Sequence, residues 1–204
     1  MIAIIDYGMG NLRSVQKALE YLGAPCRITD DPTAVHQADH LILPGVGAFA
    51  DAMTLLRQKA LDKAVLSAAD AGKPILGICL GMQMLFAHSE ENGHYDGLGL
   101  FPGTITRFAD AGLKIPHMGW NTLDTRSCVL FDGGTHPCVY FVHSYCMADV
   151  SPEWTTATCT YGQTFTAAIA RGSVMATQFH PEKSGAVGLE MLRRFAAWKG
   201  DVSC

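Results

Sequence analysis

Cys79 carries the clearest chemical signature in the chain, because it stands in Gly-Ile-Cys-Leu-Gly at residues 77–81. An apolar, strand-like run precedes it and a helical pattern follows it. A nucleophile on a sharp strand-to-helix turn projects from the sheet edge, and flanking glycines leave room at the bend. The helix N-terminus favours the reactive thiolate, and its free N–H groups, beginning with that of Leu80, can bind an oxyanion. The pattern predicts that Cys79 attacks an acyl carbon and passes through a thioester.

His180 and Glu182 form the second chemical pair, in Gln-Phe-His-Pro-Glu at residues 178–182, directly after an apolar strand. Two residues apart in an extended segment, their side chains would share one face. A carboxylate beside an imidazole fixes its tautomer and stabilises the imidazolium. This is the oriented base that a cysteine nucleophile needs. The order Cys, His, Glu differs from the usual α/β-hydrolase order, in which the acid precedes the histidine.

The third loop, residues 44–49, follows another predicted strand and is rich in glycine. Glycines let the backbone approach a ligand closely, and a neighbouring strand-end loop is where a second oxyanion donor belongs. The loop lacks Gly-Lys-Ser/Thr, so it is not a phosphate-binding P-loop.

The elements that must position these loops alternate between strand and helix in the first half of the chain. Apolar runs and helical spacings predict strands at 1–6, 41–43 (ended by Pro44-Gly45) and 75–78, and helices at 12–22 (N-cap Asn11), about 60–71 and 80–86. The second half has turn-rich segments, β-like runs at 139–142, 155–160 and 174–178, and a last helix at about 186–198. We expect one α/β domain over residues 1–204: an open, mostly parallel, flavodoxin-like sheet flanked by helices, with an antiparallel β extension.

Composition narrows the class of protein. The chain has 15 Lys and Arg against 19 Asp and Glu, a net charge of -4, which argues against a nucleic-acid binder. The sequence contains no apolar run of membrane-span length and no signal-peptide pattern. Its seven cysteines include no Cys-x-x-Cys pair, so we expect reduced thiols, a cytoplasmic location, and neither a metal nor a cofactor.

The motifs resemble those of the class I, triad-type glutamine amidotransferases, in residues 77–83 and 178–182. Residues 6–11, 116–121 and 140–145 further resemble the branch of that family that serves histidine biosynthesis. The likeness runs from Met1 to the last helix. It implies a class I glutamine amidotransferase fold and hydrolysis of L-glutamine to glutamate and ammonia.

The resemblance also assigns roles to residues. Cys79 would attack the side-chain amide, His180 would move the protons and Glu182 would orient His180. The predicted backbone oxyanion donors are Val46, Gly47 and Leu80, and the predicted glutamine contacts are Gly47, Gln83, Glu91, Ser144 and Tyr145. Glu90, next to Glu91, leaves the register of that contact open.

The family branch implies a partner: a separate barrel-shaped cyclase subunit in a heterodimer. Ammonia would pass to it directly, to make imidazole glycerol phosphate and aminoimidazole carboxamide ribonucleotide. At 204 residues the chain is too short to hold that barrel besides the glutaminase. The predicted interface residues are Asn11, Arg13, Trp120 and Lys183.

Three other interpretations stay open. The chain could be a glutaminase of the same class that serves a different synthase, with unchanged chemistry and a different partner. It could be a cysteine peptidase or esterase on a related fold, which would not need Gln83, Glu91 or a partner. It could also be a catalytically silent binding module, which the intact set of Cys79, His180 and Glu182 argues against.

Overall fold

A computed structural model of the protein describes residues 1–109, 112–148 and 150–200. Residues 201–204, the end of the predicted domain, lie outside the described residues. The strands are β1 Ile2–Ile5, β2 Cys26–Thr29, β3 His40–Gly45, β4 Ile75–Cys79, β5 Phe86–Ser89, β6 Tyr95–Asp96, β7 Phe101–Arg107, β8 His117–Thr125, β9 Cys138–His143, β10 Tyr145–Ala148, β11 Thr155–Tyr161, β12 Gln163–Arg171 and β13 Val174–Thr177. The helices are α1 Leu12–Tyr21, α2 Pro32–Gln37, α3 Phe49–Gln58, α4 Leu61–Asp70, α5 Leu80–Met84 and α6 Gly185–Ala197, with a 3₁₀ turn at Pro181–Lys183.

One mixed sheet holds nine of these strands, in the order β2-β1-β3-β4-β13-β12-β11-β8-β9. The five strands from β2 to β13 are parallel, and from β13 to β9 each neighbour is antiparallel. A smaller sheet has the order β10-β7-β5-β6. The predicted α/β fold with an antiparallel extension is confirmed. Parallel strands end at the same edge, so the loops after β3, β4 and β13 meet there.

Helices cover both faces of the parallel strands. In β1, Ile2 and Ile4 belong to the core cluster that includes α1 and α6, while Ala3 and Ile5 belong to the cluster that includes α2 to α5. Because β1 is buried on both faces, its residues are apolar without alternation, as the sequence of residues 1–6 indicated. No helix among residues 1–109, 112–148 and 150–200 is long and apolar enough to cross a membrane.

Two predicted boundaries were wrong. The helix after Cys79 ends at Met84 instead of Phe86, because Phe86 begins β5 and pairs with Phe101. Strand β3 continues through Pro44 and Gly45, which pair with β4 as far as Cys79.

The sequence also missed α3, which follows the glycine-rich loop, and β2 and α2, which join α1 to β3. Asn11 occupies the N-cap position of α1, as predicted, although its side chain makes no capping hydrogen bond there.

Candidate active site

Cys79 is the last residue of β4 and stands at the N-cap of α5, with φ 57° and ψ −110°. A residue with a side chain rarely adopts such a positive φ, and it persists only where the surroundings enforce it. The strand and helix on either side provide that enforcement. The sharp turn predicted for the thiol is therefore present in the backbone.

The glycines on either side of Cys79 are required for space. A Cβ on Gly81 would overlap the carbonyl oxygen of Leu43, in β3. A Cβ on Gly77 would lie 2.9 Å from the Gly81 oxygen, and one on Gly45 would lie 2.7 Å from the Gly81 nitrogen. The start of α5 thus packs backbone against backbone onto β3. This close approach brings the loop after β3 beside the thiol.

His180 and Glu182 meet behind the cavity, with 2.8 Å between Nδ1 and Oε1. Their side chains are only 2% and 1% exposed. The two side chains meet for a different reason from the one predicted: His180 is extended, but Glu182 lies in the 3₁₀ turn Pro181–Lys183. The turn, and not an extended segment, brings the carboxylate to the ring. Because Glu182 can only accept when ionised, Nδ1 carries the proton and Nε2 faces the other way.

The charge state of His180 is set by opposing effects. Burial disfavours the imidazolium, but the Cys79 thiol and the Glu182 carboxylate favour it more strongly, so the pKa of His180 rises to about 9. Within the described residues, Nε2 has no hydrogen-bond partner of good geometry. The influence of Cys79 is therefore one of proximity, and no formed hydrogen bond joins the two groups in this state. An imidazolium beside a thiol is the arrangement that supports a thiolate nucleophile.

The predicted residues line one cavity of about 340 Å³. This size suits a small-molecule substrate. The cavity brings together the thiol, the base, and every predicted oxyanion and substrate residue: Cys79, His180, Val46, Gly47, Leu80, Gln83, Glu91, Ser144 and Tyr145. Glu91 lines it, whereas Glu90 is exposed, so the structure settles which of the two faces the cavity. Pro116, Val142 and His143 also line it and were not predicted.

Gln83 can offer a ligand only its oxygen. Its amide nitrogen donates to the Tyr145 carbonyl at 3.2 Å and to Oε1 of Gln178 at 2.9 Å. A glutamine amide has two N–H donors, so both are used within the protein. Oε1 of Gln83 is left as an acceptor, which suits a substrate ammonium group.

Gln178 is a site residue whose role sequence reasoning missed. It is fully buried, and its amide nitrogen lies 3.7 Å from Sγ of Cys79, within reach of a weak hydrogen bond. The thiol lies 3.9 Å from the Val142 carbonyl on another side. A signal was available, because Gln178 directly follows the strand Val174–Thr177, at the edge where Cys79 also lies.

The predicted interface residues lie on three elements: β8, the 3₁₀ turn and the start of α1. Trp120 is 57% exposed and packs edge-to-face on Tyr140, and the ammonium of Lys183 lies 5.9 Å from the same Tyr140 ring. Asn11 and Arg13 stand at the N-cap and in the first turn of α1. Met118, two residues before Trp120, is 61% exposed and adds apolar surface. Trp120 and Met118 therefore expose large apolar side chains on the strand that lies beside Tyr140.

No group of three or more His, Cys, Asp or Glu side chains in the described parts of the chain is arranged to hold a metal ion.

Comparison with known proteins identifies relatives over nearly the whole chain. Residues 3–198 match the model of the family described as "Glutamine amidotransferase class-I". A protein of Syntrophotalea carbinolica named "Imidazole glycerol phosphate synthase subunit HisH" is 52% identical over 203 residues, covering 96% of this chain and 98% of that protein. "Imidazole glycerol phosphate synthase hisHF, chloroplastic", of Arabidopsis thaliana, is 47% identical, covering 96% of this chain and 34% of that protein.

The fold also has solved neighbours. A structure titled "Crystal structure of glutamine amidotransferase" aligns with a TM-score of 0.77, covering 97% of this chain and 99% of that one. Because the two sequences are only 18% identical, this likeness supports the fold alone.

Proposed function

The chain belongs to the class-I glutamine amidotransferases, and we propose that it hydrolyses L-glutamine to glutamate and ammonia as the glutaminase subunit of an imidazole glycerol phosphate synthase. The observation that supports this chemistry is that Cys79 and His180 line the same cavity, while Glu182 is hydrogen-bonded to Nδ1 of His180. The relatives that are about half identical over nearly their full length support the choice of glutamine and of this synthase.

The first half-reaction makes the thioester. The Cys79 thiolate adds to the side-chain amide carbon of glutamine, and the carbonyl oxygen becomes an oxyanion. Backbone N–H groups of Leu80 and of Val46 and Gly47 stabilise that charge. The C–N bond then breaks, the His180 imidazolium donates a proton from Nε2 to the departing nitrogen, and ammonia leaves. A γ-glutamyl thioester remains on Sγ.

The second half-reaction restores the enzyme. His180, now neutral, takes a proton from water through Nε2, and the hydroxide adds to the thioester carbon. The C–S bond breaks, glutamate leaves, and the thiolate and imidazolium are regenerated. Glu182 holds Nδ1 throughout, so Nε2 alone exchanges protons with the substrate.

The remaining cavity residues select the substrate. The Glu91 carboxylate and Oε1 of Gln83 would hold the α-ammonium of glutamine, while Ser144 and Tyr145 would offer hydroxyl and backbone groups to the α-carboxylate end. A buried site built on such groups rejects analogues that lack them, because its polar groups are then left unpaired.

The proposed function includes delivery of the ammonia to a partner protein. We propose a heterodimer with a separate cyclase subunit that makes imidazole glycerol phosphate and aminoimidazole carboxamide ribonucleotide in L-histidine biosynthesis. The matching segment is only 34% of the Arabidopsis relative, which supports a second catalytic part joined to the glutaminase there. The exposed Trp120 and the Lys183 ammonium, together with Asn11 and Arg13, are the proposed contact surface. A single glutaminase domain over residues 1–204 and a cytoplasmic location belong to the same proposal.

Ammonia release from glutamine tests the proposal, with and without the cyclase subunit and its nucleotide ligand. Cys79→Ala is expected to lose roughly 1,000-fold or more of the activity, since removing a nucleophile of a catalytic triad costs at least that much. Cys138→Ala is the matched control, because Cys138 is exposed and is not among the residues that line the cavity. Full turnover in Cys79→Ala would refute the nucleophile. An enzyme that no cyclase subunit stimulates would contradict the assignment to histidine biosynthesis.

A further inference from the structure

Two buried histidines that the proposed mechanism does not use form a hydrogen-bonded pair beside the cavity. Nδ1 of His117 and Nε2 of His143 are 3.0 Å apart. His143 continues from Nδ1 to the Tyr145 carbonyl at 2.8 Å, and His117 continues from Nε2 to the amide nitrogen of Asn121 at 3.3 Å. The pair thus belongs to a hydrogen-bonded chain of four residues. One end is the side-chain amide of Asn121 and the other is the backbone carbonyl of Tyr145.

The two ends of this chain fix the position of every proton in it. The Tyr145 carbonyl can only accept, so Nδ1 of His143 donates and, in the neutral ring, Nε2 accepts. At the other end the Asn121 amide is oriented independently: its oxygen accepts from the Thr122 N–H at 2.8 Å and its nitrogen donates to the Thr160 carbonyl at 3.0 Å.

That orientation makes Asn121 the donor to Nε2 of His117, so Nδ1 of His117 carries the hydrogen that His143 accepts. Both rings are therefore neutral Nδ1–H tautomers. An added proton would place two donors face to face at one of these bonds, and the buried polar groups would lose a partner.

The surroundings favour the neutral rings. His117 lies between Tyr161 and Phe141, with ring centroids 4.1 and 4.7 Å away, and His143 packs against Phe108 and Phe165. Burial lowers the pKa of His117 to about 4. Burial also lowers the pKa of His143 to about 3, aided by the nearby His117 and His180 and opposed by the bond to Tyr145.

The Tyr145 end of these hydrogen bonds is linked to the nucleophile through two side-chain amides. The Tyr145 carbonyl accepts from His143 and also from Gln83, which in turn donates to Gln178. Gln178 then directs its amide nitrogen at Sγ of Cys79. A shift of the Tyr145 carbonyl would therefore change the position of both amides.

We propose that His143 and His117 are positioning residues of the glutaminase site. Their proton order, in which both rings are neutral Nδ1–H tautomers, fixes the position of the Tyr145 carbonyl. Through that carbonyl it fixes the side-chain amides of Gln83 and Gln178. The kinetic part of this proposal rests on the proposed function, whereas the proton order does not.

Long-range ¹H–¹⁵N NMR of the histidine rings at neutral pH tests the proton order in the unmodified protein. We expect both rings to be neutral with Nδ1 protonated, the less common tautomer in solution, with the signals assigned from through-bond and NOE connectivities in the unmodified protein. An Nε2–H tautomer or a charged ring at either position would overturn the proposal. This measurement needs no glutamine turnover, so it stands even if Cys79→Ala disproves the proposed function.

Two substitutions at His143 separate positioning from packing. His143→Phe keeps the ring volume and removes both hydrogen bonds, whereas His143→Asn leaves space but can place an amide N–H where Nδ1–H lies. In the complex with the cyclase subunit, we expect kcat to fall roughly 100-fold in His143→Phe, the cost of about 1 Å of misplacement. KM should change far less, and His143→Asn should recover at least about 10-fold of the lost kcat.

A purely structural role predicts the reverse order, with Phe more active than Asn. That order, or equal kcat values in His143→Phe and the unmodified protein, would refute the positioning role. Melting curves of both variants show which losses come from unfolding, and the NMR result decides the proton order if neither variant folds.

Discussion

The carboxylate of Glu91 accepts a hydrogen bond from the backbone N–H of Phe49, with 2.7 Å between Oε2 and the nitrogen. Phe49 is the first residue of α3, which begins two residues after Gly47. An acidic side chain at a helix N-terminus satisfies an orphan N–H and complements the helix dipole. Glu91 also lines the cavity. One carboxylate therefore joins the proposed substrate-ammonium contact to the segment that carries the proposed oxyanion donors.

Glu91→Gln removes the charge but keeps an oxygen that can accept from Phe49. We expect KM for glutamine to rise roughly 10- to 100-fold, since a hydrogen bond to a charged group contributes about 1.5–3 kcal/mol. The value of kcat should change little, because α3 keeps its cap. Steady-state ammonia release measures both. Glu90→Gln is the matched control, since Glu90 is the exposed neighbour, and an equal rise in KM in that variant would contradict the assignment of Glu91.

The pH profile should report His180. Its pKa is raised to about 9, so the imidazolium that is proposed to protonate the departing nitrogen persists below that pH and is lost as the pH rises through about 9. We expect kcat/KM to fall on the alkaline side near pH 9. In Glu182→Gln the fall should move to lower pH, because one of the groups that raise this pKa loses its charge.

Rate profiles from pH 6 to 10 measure the shift, with Glu153→Gln as the control because Glu153 is an exposed carboxylate in a turn. An alkaline limb that stays at the same pH in Glu182→Gln would show that His180 does not govern it.

Tyr7→Phe should weaken the site without touching the substrate. The buried Tyr7 hydroxyl donates to the Pro44 carbonyl at 3.0 Å, at the start of the loop that carries Val46 and Gly47. Loss of the donor leaves a buried carbonyl unpaired, at a cost of about 1–3 kcal/mol of stability. We also expect lower kcat with nearly unchanged KM, because the loop carries the proposed oxyanion donors.

Urea unfolding and ammonia release test both effects of Tyr7→Phe. Tyr21→Phe is the control, since Tyr21 is 80% exposed. Unchanged kcat in Tyr7→Phe would mean that the Pro44 bond does not position the loop.

Gly81→Ala should be poorly tolerated, because the new methyl group would overlap the Leu43 carbonyl in the backbone of β3. Backbone cannot rotate away as a side chain does, so we expect a loss of about 3 kcal/mol or more in the free energy of unfolding. Gly23→Ala is the comparison: it has open space around it but a φ of 70°, which costs about 1–2 kcal/mol. Urea unfolding of both variants gives the difference. A smaller loss for Gly81→Ala than for Gly23→Ala would show that the elbow does not depend on this close packing.

The proposed chemistry could be predicted from the sequence because it depends on local patterns. A nucleophile between a strand and a helix, with small flanking residues, is visible in the order Gly-Ile-Cys-Leu-Gly. Apolar runs without alternation indicated strands buried on both faces, and β1 and β4 are buried in this way. The prediction for His180 and Glu182 placed the right groups together for the wrong reason, since a 3₁₀ turn replaces the extended segment. Spacing alone does not distinguish these two backbones.

The sequence by itself determined which residue types stand at strand ends, and with them the family and the proposed nucleophile and base. Only the tertiary structure decided what surrounds them. The cavity is assembled from segments up to 134 residues apart, Val46 to His180, because parallel strands bring their carboxyl ends to one edge. The tertiary structure also decided that Glu91 and not Glu90 faces the cavity and that Gln178 reaches Cys79. It brought His117 and His143 into the hydrogen bonds that make both rings Nδ1–H tautomers. These are hydrogen bonds between residues distant in the chain, and their geometry depends on how the sheet packs, which no local pattern encodes.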